Sequence, residues 1–140
     1  MFTSVSSRAA HAYKRASVES SVEMADRHQL VCLLFEALQR AIGSARLFIE
    51  AGNVPAKCQQ IGSAIRILED GLIAPLDLEN GGQIAANLHA LYGYCVTRLV
   101  LANARNDVSA LVEVASLIEP VANGWKLIEG KGPAYLQPVQ

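Results

Sequence analysis

The sequence predicts an all-α fold, an antiparallel four-helix bundle, and three observations predict it. Apolar residues recur at three- and four-residue spacing through most of positions 27–128. No segment alternates apolar and polar with period two, so no sheet is expected. Gly, Pro and Asn-Asp breaks cut the apolar pattern into four long stretches with short links, which favours antiparallel neighbours. The bundle is expected over 23–129. A mobile N-terminal arm over 1–22, with room for one short extra helix, precedes it, and a disordered tail over 130–140 follows.

The arm is rich in Ser and small residues, with Phe2, Val5, Tyr13, Val18 and Val22 scattered through it. The first helix is expected from about Arg27 to Ala51. Asp26 and Gln29 have the spacing of a capping box. Leu30, Leu34, Leu38 and Phe48 lie on one apolar stripe, and Val31, Phe35, Ile42 and Ile49 on an overlapping one, so the buried face is wide. Gly52 offers the left-handed stop.

The second helix starts near Pro55, a residue tolerated in a first turn, and carries Ile61, Ala64, Ile65, Leu68 and Leu72 inward until Pro75 ends it. The third follows Leu76–Asn80, where Asn80 and Gln83 suggest a second capping box. It keeps Ile84, Leu88, Leu91, Tyr92, Cys95, Leu99 and Ala102 in register. Asn106-Asp107 breaks it and caps the fourth. That helix carries Val108, Leu111, Ala115, Ile118, Val121, Trp125 and Ile128, with Pro120 expected to kink or restart it. Gly130, Gly132, Pro133 and Pro138 mark the tail.

Composition excludes several functions. The chain is 51% hydrophobic and 18% charged, with a net charge of −1. That balance provides neither a basic footprint for nucleic acid nor a polybasic patch for a membrane surface. No apolar run approaches the roughly 18 residues of a membrane span, and the first 21 residues lack an apolar stretch of signal-peptide length. A cytoplasmic location is expected. Cys32, Cys58 and Cys95 are odd in number and lack C-x-x-C spacing, which favours free thiols in a reducing compartment.

Catalytic and metal chemistry find little support. His11, His28 and His89 each lack the Glu three residues before them that a di-metal bundle uses. His28 and Cys32 share a face at i and i+4, half a metal site at most. Gly81-Gly82 reads as a turn, with no phosphate loop or nucleophile elbow elsewhere. No cofactor, metal or catalytic residue is expected. One string, His89-Ala90-Leu91-Tyr92-Gly93, is similar to the phosphorylated helix of histidine phosphotransfer domains. Tyr92 occupies the place where those domains usually carry a Lys. A phosphotransfer module using His89 is the alternative reading.

Several strings, taken in order, resemble the FliS family of flagellar export chaperones. They are Ala12-Tyr13; His28-Gln29-Leu30-Val31 with Leu34-Phe35-Glu36; Leu76-Asp77-Leu78-Glu79-Asn80-Gly81-Gly82; Asn87-Leu88, Leu91-Tyr92 and Tyr94; Ala102-Asn103 with Asn106-Asp107; and Trp125. The likeness covers about residues 12–128, and its most specific part is the string from Leu76 to Gly82 followed by Asn87-Leu88 and Leu91-Tyr92. One departure is Arg27, where the family often has Pro. The region around Cys58 carries no motif.

The resemblance implies a non-enzymatic chaperone. Such proteins hold the disordered C-terminal segment of flagellin in the cytoplasm, prevent premature polymerisation and keep it competent for the flagellar type III export apparatus. Apolar grooves between helices suit that task, since an amphipathic client lays one face into them. The client-binding residues expected are Tyr13 in the arm, Val31, Phe35 and Ile42 on the first helix and Leu91, Tyr92 and Tyr94 on the third, with Trp125 as a core anchor. Tyr13 either docks Ala12-Tyr13 back over the client groove as a lid, contacts the client directly as a clamp, or stays solvated with the arm. Partners are thus flagellin and the export apparatus, with a homodimer left open.

Overall fold

The structure, a computed structural model, describes the backbone of residues 5–128 and the side chains of residues 26–128. The expected tail over 130–140 and the side chain of Tyr13 lie outside that range. The fold is all-α, as the periodicity predicts: α1 (Val5–Glu50), α2 (Val54–Arg66), α3 (Gly82–Arg105) and α4 (Val108–Lys126).

The first helix departs from its expected start. It spans 46 residues and passes through Asp26, so the capping box at Asp26 and Gln29 does not form. Neither Gly nor Pro occurs between Val5 and Ile42. Extending an existing helix adds one hydrogen bond per residue fixed, whereas an interruption demands a new nucleus. A cap signal alone does not outweigh that. At the other end Gly52 takes φ +73°, and Asn53 N–H donates to Phe48 O at 2.9 Å.

Asn53 caps α2, its side chain accepting from Ala56 N–H at 3.2 Å, with Pro55 in the first turn. The helix then widens into a π-helical stretch, Ile67–Ile73, which ends before Pro75 with Ala74 N–H donating to Glu69 O at 3.0 Å. Gly71 sits on that stretch. A Cβ there would come within 3.0 Å of the Leu34 side chain, so the missing side chain sets how closely α1 approaches.

The link to α3 is stabilised by Asp77. Its Oδ1 accepts from Glu79 N–H at 3.2 Å and Asn80 N–H at 3.0 Å. Asn80 and Gln83 do not form the expected box. Gly81 precedes α3 without a side-chain cap, and Gln83 Nε2 donates instead to Asn87 Oδ1 at 2.8 Å. Gly82 turns the chain at φ +65°. The Asn106-Asp107 break forms as expected: Asn106 is left-handed at φ 52°, and Asp107 accepts from Ser109 N–H at 3.0 Å. α4 continues through Pro120 without a restart.

Each helix packs on two others. α1 lies against α2 and α4, and α3 against α2 and α4, so α1 and α3 stand diagonally. Phe35, Leu38, Ile61, Leu68, Cys95, Leu99, Leu111 and Ile118 fill the centre. The upper end holds the α1–α2 and α3–α4 turns. The lower end holds the α2–α3 link, the close of α4 and the level of His28 on α1. Below His28, α1 continues to Val5, about 35 Å of further helix at 1.5 Å per residue.

Candidate interaction surface

Polar contacts fix both ends of the bundle. At the upper end Lys57 is buried, only 4% exposed. Its Nζ donates to Asn103 O at 2.8 Å and to Asn106 Oδ1 at 2.7 Å. The ammonium thus sits where the carbonyls of the last α3 turn lack helical partners and the helix dipole is negative. At the lower end His28 and Trp125 join α1 to α4. Trp125 Nε1–H donates to His28 O at 3.0 Å, and His28 Nε2 lies 2.8 Å from Trp125 O, with the rings stacked at 5.3 Å.

A third network crosses from α3 to α4 at the surface. Tyr94 OH donates to Glu113 Oε2 at 2.8 Å, and Arg98 Nε to Oε1 at 2.6 Å. The Tyr94 and Arg98 hydrogen bonds hold the Glu113 carboxyl below its ordinary range. The same bond to Glu113 raises the Tyr94 phenol. Burial pushes the Cys95 thiol up to about 11, so it stays protonated and inert at neutral pH.

The residues expected to bind a client fall into three groups. Val31, Phe35, Ile42 and Tyr92 lie in the core of the chain as it stands here, rather than along an open groove. The reason is geometric: α1 is clasped by α2 on one side and α4 on the other, which covers its stripes except at Leu30, where the first one begins. Leu91 is half-buried against the core, and Tyr94 is exposed. Tyr13 is not among the described side chains. Trp125 anchors the core, as expected. His89 is exposed on α3, while Tyr92 beside it is buried and supplies no cation to the surface.

The lower end exposes five large apolar residues; periodicity sets Leu30 and Ile84 on inward stripes and does not single out Leu33, Leu78 or Leu127. Leu30 and Leu33 on α1, Leu78 in the α2–α3 link, Ile84 in the first turn of α3 and Leu127 just past α4 all belong to the lower end. Their exposure ranges from 54% to 83%. Exposed apolar residues also occur toward the upper end, at Leu47, Val54, Val100 and Val112, but the lower end gathers most of the larger Leu and Ile side chains, the kind of surface a partner can cover. The usable signal was the surplus: Leu33 adjoins the buried stripe without belonging to it, and Leu78 and Ile84 flank a glycine turn.

The described residues contain no group of three or more His, Cys, Asp or Glu side chains able to hold a metal ion. None of the described helices is long and apolar enough to cross a membrane.

Comparison with known proteins agrees in direction. The family profile described as "Flagellar protein FliS" matches residues 9–132. A protein of Salmonella typhimurium named flagellar secretion chaperone FliS is 48% identical over 120 residues, covering 86% of this chain and 89% of that protein. The protein of the same name from Escherichia coli is 44% identical over 115 residues, covering 82% and 85%. Flagellar secretion chaperone FliSB of Pseudomonas aeruginosa is 42% identical over 113 residues, covering 81% and 89%.

Proposed function

This chain belongs to the FliS family of flagellar proteins, and from that premise we propose that it is a cytoplasmic, non-enzymatic export chaperone for flagellin. It binds the disordered C-terminal segment of flagellin, prevents premature polymerisation and keeps the subunit ready for the flagellar type III export apparatus. The relatives' name, flagellar secretion chaperone, supports the task. The observation that carries the reading is the apolar lower end of a bundle whose interior is already filled.

A filament subunit needs its sticky, helix-prone terminus covered until export. An amphipathic client segment lays its apolar face on exposed Leu and Ile side chains and removes both surfaces from water. Five half-exposed side chains contribute roughly 1 kcal/mol each, since complete burial of such a group is worth about 1.5–3 kcal/mol. Ordering a disordered segment costs about 2–5 kcal/mol or more. The two terms nearly cancel, so the lower end alone holds a client only weakly. The client therefore runs on over further surface, and Leu91 and Tyr94 on α3 are the accessible members of the set named from the sequence. Val31, Phe35, Ile42 and Tyr92 join only where binding loosens the packing of α1. Tyr13 remains a candidate clamp or lid.

Titration calorimetry with intact flagellin, and with flagellin lacking its last few dozen residues, tests the reading. Binding of the intact protein alone, with a negative heat-capacity change, is the expected result. Equal binding of both forms removes the proposal.

A further inference from the structure

We propose that the π-helical stretch Ile67–Ile73 is a joint: its relaxation to α-helix turns Gly71 away from Leu34 and lets α1 part from it, which exposes Val31 and Phe35 to a client. That a client takes up those two residues rests on the reading above; the joint itself does not.

A π-turn closes its hydrogen bonds at i+5 where an α-turn closes them at i+4, so it holds one residue more per turn. The bond from Ala74 N–H to Glu69 O, at 3.0 Å, is of that kind. Ordinary helical backbone stands on either side, with Arg66 at φ −62°, ψ −40° and Ala74 at φ −54°, ψ −39°. The surplus is therefore confined to one stretch of an otherwise regular helix. Widened turns of this sort are frequent at functional sites.

The side chains explain why the stretch is wide. Leu68 and Leu72 are buried, whereas Glu69 and Asp70 are exposed. Gly71 admits Leu34, whose Cδ1 lies 3.0 Å from the place a Cβ would take. Each residue of an α-helix steps about 100° round the axis. Closing the stretch to α-register thus brings Asp70 to the place that Gly71 now holds. A carboxylate pressed against Leu34 has to give up its water, which is costly. Two arrangements avoid that: a π-helix with α1 seated on Gly71, or an α-helix with α1 drawn back and Asp70 hydrated. The two elements therefore change together.

Leu34 belongs to the part of α1 that carries Val31 and Phe35, and both share one core cluster with Leu68 and Leu72. Drawing that part of α1 back uncovers them. The surplus residue passes into the link over 74–81, which carries the exposed Leu78. An occupant of the lower end thus acts directly on the joint, and residues buried in the closed chain gain a route into binding.

The test is amide hydrogen exchange of the full chain without a client, followed by titration with a flagellin C-terminal peptide. Deleting Asp70 removes the surplus residue, makes the helix regular and keeps Gly71 opposite Leu34, so it holds the closed form. Exchange at 67–76 and at 31–35 should slow by about tenfold or more, with 111–118 unchanged. Peptide affinity should fall by at least about tenfold, since the open form is no longer reached. Leu34→Ala removes the contact on Gly71 and works the other way: exchange should quicken at both segments, and by more than at 111–118. If the deletion unfolds the chain, Leu34→Ala decides alone. Exchange at 67–76 that changes without a matching change at 31–35 overturns the joint, as does exchange that responds to neither variant. Slowed exchange with unchanged peptide affinity overturns the opening as a step in binding. If no chain binds the peptide, the chaperone reading fails while exchange still decides the joint.

Discussion

His28 and Trp125 hold each other by reciprocal hydrogen bonds, the indole N–H to the His28 carbonyl at 3.0 Å and the imidazole Nε2 to the Trp125 carbonyl at 2.8 Å, across stacked rings. The pair fastens the last turn of α4 to α1 where the exposed apolar cluster begins. Trp125→Phe keeps a ring in place and removes the N–H, so the His28 carbonyl loses a donor. The expected cost is about 1–2 kcal/mol, against about 3–5 kcal/mol for Trp125→Ala, which also opens a cavity. Urea unfolding measures both.

Lys57→Met should destabilise the chain by about 1–3 kcal/mol. The apolar stem is retained, but the Asn103 carbonyl and the Asn106 amide oxygen lose their donor in a mostly buried corner. Thermal unfolding checks it, and a Tm unchanged from the parent would show that water replaces the ammonium freely.

The three thiols should react in order of access. Cys58 is exposed, Cys32 is partly covered and Cys95 is buried with its pKa raised to about 11. At pH 8, alkylation followed by mass spectrometry should label Cys58 first and leave Cys95 unmodified until denaturant is added.

The Tyr94–Glu113–Arg98 network predicts a pH dependence with a definite sign. The Glu113 pKa is lowered in the fold from its ordinary 4.5 by the bonds from Tyr94 and Arg98. Its contribution is therefore complete above 4.5 and lost as pH falls through the depressed folded value. The Tyr94 pKa is raised from 10.0, so its contribution holds below 10 and is lost as pH rises through the raised folded value. The stability gap between the parent and Glu113→Gln should shrink as pH falls from neutrality into the acid range. A gap that widens there would contradict the assignment.

Most of the fold was legible because helical periodicity and backbone breakers act locally. Gly52, Pro55, Pro75 and Asn106-Asp107 each stop or start a helix for reasons contained in their own backbones. Asp26 misled because a cap stabilises an end that forms but does not create one inside a run of helix formers, whereas Asn80 misled because α3 starts one residue later, behind Gly81, and Asn80 itself is held by Asp77. The interaction surface was less legible. Phe35 and Leu33 look alike as apolar residues of one helix, and only the arrangement of α2 and α4 around α1 decides that the first is buried and the second open. Lys57 went unnoticed because nothing near it in sequence shows that the end of α3 will lie against it.

The buried state of Phe35 gives a contrast that separates core from surface. Phe35→Ala should cost about 3–5 kcal/mol through the cavity it leaves. Leu33→Asp, at an exposed position, should stay within about 0.5 kcal/mol of the parent.

The most direct measurement is the affinity of a flagellin C-terminal peptide for the chain carrying both Leu33→Asp and Ile84→Asp, by titration calorimetry beside the parent. Each substitution places a charge where the client must exclude water. The account predicts at least about a tenfold loss of affinity, equivalent to roughly 1.4 kcal/mol, with an unchanged unfolding transition. Parent-like affinity in a folded double variant would contradict the claim that the lower end receives the client.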